Sequence, residues 1–202
     1  MKKMKTIILA LCAGIVMTGC NNLQKGTAIG AVGGAVGAGA GALIGKHMDK
    51  VKAQAQAVQN AQVEQITDAN GLQGVKVTFD SGILFATNSS QLNTASKASL
   101  TQFANVLKNN SDCDVAIYGH TDNTGNDAIN NPLSVKRAQA VETYLKQQGV
   151  SAAQIRSVDG QGSSNPVASN ATAEGRKQNR RVEVYMYASE AMINAANNGT
   201  LQ

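Results

Sequence analysis

Residues 114–141 read DVAIYGHTDNTGNDAINNPLSVKRAQAV, and this stretch decides the fold. DVAIYG is an unbroken apolar run of strand length. A Gly/Asn-rich loop follows and carries Asp122. The chain then enters a helix, read as having Pro132 at its first position and stopping before Gly149, the usual asymmetry of helix ends. Leu133, Val141, Tyr144 and Leu145 mark the buried stripe of that helix. Arg137 lies inside the stripe, four residues from Leu133 and four from Val141. A buried guanidinium without compensation costs several kcal/mol, so Arg137 needs a partner. A strand–loop–helix unit brings Asp122 and Arg137 to one end of a sheet. Two readings stay open: an ion pair that pins the loop, or an acid and a base set apart to hold a ligand between them. A carboxylate beside a guanidinium suits a zwitterionic amino-acid group, with Arg137 gripping the ligand carboxylate through two parallel bonds.

Outward from this unit the same grammar repeats. GVKVTFD (74–80) alternates as a strand, and Leu92, Ser99, Phe103 and Leu107 sit at helical spacing behind a cap at Asn88 or Ser89. IRSVDGQG (155–162) reads as a strand, TAEGRKQN (172–179) as a short helix and RRVEVYMYA (180–188) as a last strand. The order β-α-β-α-β-α-β over residues 71–188 predicts an α/β fold of the α+β two-layer sandwich type, with helices on one face of the sheet. Residues 189–202 read as a flexible tail.

The N-terminal part has a different character. MKKMK is a basic n-region and TIILALCAGIVM an apolar h-region too short for an easy membrane span. MTGC then resembles a lipobox, so residues 1–19 are expected to be a lipoprotein signal peptide. Cys20 is then the lipidated residue and 20–25 the anchored N-terminus. Residue Asn21, which is not Asp, favours the outer membrane by the sorting rule for such proteins. Residues 26–45 hold eight Gly and six Ala and no charge. Gly33, Gly37, Gly41 and Gly45 recur every fourth residue, the spacing of a glycine zipper that lets helices approach closely and would associate copies of the chain. A flexible Gly/Ala tether is the plainer reading. Residues 46–70, rich in Ala, Gln and Val, read as a polar helical spacer with His47 exposed.

Composition excludes several functions. The net charge is +5, and removal of the leader with its three lysines leaves +2. That balance argues against nucleic-acid binding. Cys12, Cys20 and Cys113 are the three cysteines. With the first two in the leader region, Cys113 reads as a small buried apolar residue and no disulfide is expected in the body. His120, Asp122 and Ser134 do not make a catalytic set, because nothing orients the serine toward the imidazole and no nucleophile elbow is present. No metal-ligand spacing occurs, so neither a metal nor a cofactor is expected, and the chain is read as a non-enzyme.

FATNSSQL (85–92), GHTDNTG (119–125), NPLSVKRAQAV (131–141), NPVASN (165–170) and TAEGRKQNRRVEV (172–184) together resemble the peptidoglycan-binding OmpA C-terminal-like domain. The resemblance runs from about Val75 to Tyr187. It implies non-covalent binding of peptidoglycan through the diaminopimelate of its stem peptides. By the same pattern Asp122 and Arg137 are the central pair, with Asn88, Thr121 and Arg180 around them. Ala86 stands where the pattern usually has an acidic residue. With the lipid anchor, the implied role is a tether between the outer membrane and the cell wall. The alternative is a structural, oligomerising envelope protein whose domain binds a protein partner.

Overall fold

The computed structural model describes residues 36–37, 39–86 and 88–201. The four expected strands are present as β2 (Gln73–Asp80), β3 (Cys113–Gly119), β4 (Ile155–Gly160) and β5 (Arg181–Ala188). A further strand, β1 (Ala61–Thr67), completes a five-stranded sheet of order β1-β2-β5-β3-β4. Only β3 and β4 run parallel; the other neighbours are antiparallel. Register puts Val75, Val77 and Phe79 opposite Met186, Val184 and Val182. Val115 and Ile117 continue that row across β3. Because strand side chains alternate, this single face is apolar and fully buried. Helices α3 (Thr94–Asn109) and α4 (Asp127–Gln147) cover it, with Phe103 meeting the Phe79 ring edge-on at 5.5 Å. The opposite face carries Ala116, Tyr118, Tyr185 and Tyr187.

The mixed α/β expectation is met, but the domain is larger than the sequence patterns suggest. Residues 46–70 are not a spacer. Helix α1 (Ala40–Gln56) buries Ala40, Ile44, Met48, Val51 and Ala55, a stripe at helical period, and packs on β1 and β2. β1 then pairs with β2 along its whole length. The stripe is thin and is diluted by Ala and Gln, so periodicity marks it only weakly. His47, expected to be exposed, is largely covered beside Asp112. The tail is also structured through residue 201: α6 (Glu190–Asn197) is capped by Ser189 and buries Met192, Ile193 and Ala196 against α1.

Signal peptide, Cys20 and most of the glycine-rich segment lie outside the described residues. Its last part belongs to the domain. Gly39 takes φ +91° and starts α1, and Gly41 and Gly45 face Leu72 and Gln73 of the same domain. Among the described residues no helix is long and apolar enough to cross a membrane.

Two helix starts move. α3 begins at Thr94 under an Asn93 cap that accepts from Ser96 N at 2.8 Å, so Asn88 and Ser89 belong to the connection before it. That connection follows the single turn α2 (Ser81–Leu84) and is pinned by a bridge between Phe85 and Leu92. α4 begins at Asp127, capped by Asn126, which leaves Pro132 in the second turn rather than the first. The cap and the acidic Asp127 favour the extra turn, at the loss of the one helix bond that proline cannot donate.

Candidate ligand-binding site

The site forms where β3 and β4 end and α4 crosses over them. Gly119 and Gly160 are register partners at those ends. A Cβ on Gly119 would lie 2.1 Å from Ser134 O, and one on Gly160 would lie 2.3 Å from Ser134 Oγ. Two bare backbones therefore let α4 press onto the strand ends and carry Arg137 toward the loop after β3. That loop is held by Thr121 N donating to Gly162 O at 2.8 Å. Asn130 Nδ2 ties it to α4, donating to Asp122 O at 3.3 Å and Thr124 O at 3.1 Å.

The two readings of Asp122 and Arg137 now separate. Asp122 does not pair with Arg137. Its Oδ2 accepts from Nη1 of Arg180, and its Oδ1 accepts from Thr124 N at 2.8 Å. Arg180 caps the end of α5 (Ala173–Asn179), and its carbonyl accepts from Ser81 N at 2.8 Å. Two chain segments, the loop after β3 and the end of α5, thus converge on one carboxylate. Burial opposes ionisation of Asp122, but the bonds from Arg180 and Thr124 outweigh it and hold the carboxyl below its usual range.

Arg137 is 4% exposed. Its Nε donates to Ser89 O at 3.0 Å, and its guanidinium lies 5.3 Å from the Phe85 ring centroid. Burial and then the nearby charge of Arg180 lower its pKa, with Asp122 acting in the opposite direction; an arginine starting so high stays charged. Among the described residues no carboxylate lies within ion-pair distance of Arg137. The guanidinium is oriented through one nitrogen and one face, and its terminal nitrogens make no hydrogen bond among the described residues.

Asp122, Arg137, Asn88, Thr121 and Arg180, the five residues singled out in the sequence, line one cleft of about 440 Å³. Asn88 sits on its rim at φ 53°, not at a helix start. Thr121 is buried at its floor. Ala86 lines the cleft at the position where the family pattern usually has an acid. Sequence reasoning missed Phe85 as the shelf under Arg137, Ser89 as its carbonyl partner and Asn130 as the loop clamp. It also missed Ile129 and Leu133 as apolar wall. Phe85 was in reach as the aromatic of FATN; the others act through contacts that local spacing does not encode.

The alternative catalytic set has no geometry. Ser134 Oγ donates to Asn131 O at 2.7 Å and accepts from Gly162 N at 3.0 Å. His120 instead points to Glu183, with Nε2 3.3 Å from Oε2. Glu183 also accepts from Arg181 Nε and from the Tyr185 hydroxyl, both at 2.7 Å. Burial lowers the His120 pKa more than Glu183 raises it, so the imidazole is neutral in this packed network under the sheet.

The sequence places this fold among known proteins. Residues 84–180 match the OmpA family. The chain is 48% identical over 102 residues to the peptidoglycan-binding protein ArfA of Mycobacterium tuberculosis, covering 50% of this chain and 31% of that one. It is 46% identical over 108 residues to the probable lipoprotein YiaD of Escherichia coli, covering 54% of this chain and 46% of that one. It thus spans less than half the length of either relative. Among solved structures, the cell wall anchor of the type VI secretion system from Pseudomonas aeruginosa is similar at TM-score 0.58 and 31% identity. That match covers 70% of this chain and 97% of the other. The chain belongs to the OmpA family, with a domain of the C-terminal, OmpA-C-like kind.

Proposed function

We propose that this chain binds peptidoglycan non-covalently through the diaminopimelate of its stem peptides. The single observation that carries the reading is Arg137: a buried, oriented guanidinium with no carboxylate partner among the described residues, opening on a cleft whose other wall holds the Asp122 carboxylate. The free end of diaminopimelate is an α-amino acid at the tip of an alkyl chain. Its carboxylate would receive two parallel bonds from Arg137. Its ammonium would donate to Asp122, whose oxygens keep lone pairs beyond those used by Arg180 and Thr124. Phe85, Ile129 and Leu133 would pack the methylenes, with Asn88 and Thr121 completing the rim and floor. Arg180 holds Asp122 in place. The names of two relatives, a peptidoglycan-binding protein and a cell wall anchor, support the same ligand.

The lipobox-like MTGC and the likeness to a lipoprotein support the second half of the reading, an outer-membrane lipoprotein anchored at Cys20 with its domain facing the periplasm. The anchor at Cys20 would then hold the domain within reach of the wall. Many stem peptides within that reach make modest single-site affinity sufficient.

Sedimentation with purified cell-wall sacculi tests the ligand. The chain from residue 36 onward, which keeps α1 and β1, is expected to pellet with sacculi that contain diaminopimelate. Asp122→Ala and Arg137→Ala are expected to stay in solution while keeping the wild-type melting temperature within a few degrees. If both variants pellet as wild type does, the assignment of this cleft fails.

A further inference from the structure

A second cluster of donor atoms lies away from the cleft, where α1 passes the start of β3. His47 Nε2 and Asp112 Oδ2 are 3.4 Å apart. With Cys113 Sγ they form a triangle in which all three atoms lie within 4.8 Å of one another. Cys113 is fully buried, and Met48 Sδ is 3.9 Å from its sulfur. The Asp112 side chain is 35% exposed and the His47 side chain 15%, so the cluster has a wet side and a dry side.

We propose that His47, Asp112 and Cys113 bind a zinc ion that fastens α1 to the start of β3. Donor type supports zinc over the hard cations: a thiolate and an imidazole suit a borderline ion, whereas calcium and magnesium take oxygen ligands. Distance agrees. In a tetrahedral site with bonds of about 2.0–2.3 Å, ligand atoms stand roughly 3.3–3.8 Å from each other. The nitrogen and oxygen are already at that spacing, and the sulfur needs a shift of at most about 1 Å to reach it. Charge agrees as well. One thiolate, one carboxylate and one neutral imidazole cancel a divalent ion, so a half-buried site carries no net charge. The proton balance is simple: as the sulfur–zinc bond forms, the Cys113 thiol proton passes to solvent, and nothing is oxidised. The fourth position faces the Asp112 side, where water has access.

This site is independent of the cleft and of its ligand. His47 and Cys113 are 66 positions apart, and only the docking of α1 on the domain brings them together.

The test uses the full chain in detergent with Cys12→Ala and Cys20→Ala, which leaves Cys113 as the one thiol. Cobalt(II) serves as a spectroscopic stand-in, and zinc(II) competes it off. One equivalent should bind, with a thiolate-to-cobalt charge-transfer band and a raised melting temperature. His47→Gln and Asp112→Asn should each weaken binding at least roughly ten-fold, and Cys113→Ala should remove the band. Melting in chelator verifies that each variant folds, and Asp112→Asn, on a partly exposed loop, is the least disruptive. The proposal is overturned if cobalt gives no thiolate band, or if His47→Gln and Asp112→Asn bind metal as the parent does.

Discussion

Arg137→Lys is the substitution that most sharply separates two accounts of the cleft. Both side chains carry one positive charge, so an account based on attraction alone expects little change. The structure predisposes Arg137 for more. Its Nε is committed to Ser89 O and its plane rests near Phe85, which leaves the two terminal nitrogens to meet both oxygens of a carboxylate. A lysine ammonium cannot hold Ser89 and grip a ligand with a planar fork at once. At least one charge-assisted hydrogen bond is lost, and such bonds contribute about 1.5–3 kcal/mol. At about 1.4 kcal/mol per factor of ten, affinity for diaminopimelate should fall roughly ten- to over a hundred-fold. Stability should change little, because one buried cation replaces another and without ligand the ammonium can still donate to Ser89 O. Calorimetric titration with free diaminopimelate and with a stem peptide reads the first effect, and thermal melting reads the second. Affinity within about two-fold of wild type, a margin well inside a single hydrogen bond, would refute the bidentate grip and leave plain charge attraction.

Other outcomes follow from the same geometry. Arg180→Ala removes the strongest force favouring the Asp122 carboxylate while its burial remains, so the Asp122 pKa should rise. Binding should then be lost at a higher pH on acidification than in wild type; an unchanged acid edge in pH-dependent sedimentation would show that Arg180 does not hold Asp122. The sign follows from the depressed pKa of the folded protein: the carboxylate contributes above the unfolded value and is lost as pH falls through the folded one. Ile44→Ala should cost about 2–5 kcal/mol, as a fully buried aliphatic of a packed core does. If 40–56 were a free spacer the same change would leave denaturant melting unaltered.

Much of the candidate site is legible in the amino-acid sequence. Arg137 announces itself by standing in an apolar stripe, and Asp122 by closing a strand in a Gly/Asn-rich loop. Those signals are local, carried by residues a few positions apart on one element. The family motifs add Asn88, Thr121 and Arg180. What Asp122 pairs with is not legible, because its partner Arg180 is 58 residues away and reaches it only when β5 runs back beside β3. The outer boundary of the domain is hidden for a related reason. Ile44, Met48 and Val51 are few among Ala, Gln and Lys, and a sparse stripe looks like a spacer until a sheet is present to bury it. The polar end of the chain likewise hides Met192 and Ile193, which fold onto that same helix.

By itself, then, the order of residues determined the alternation of the main strands and helices between residues 73 and 188 and the presence of an acid and a base near one edge. These depend on backbone preference and on periods of two and 3.6, which any short window contains. Which charges neutralise each other, which one is left facing the cleft, and that a histidine of α1 meets a cysteine of β3 were decided only in three dimensions. Coulomb energy and coordination depend on separations of a few ångströms, and packing alone sets those between residues far apart along the chain.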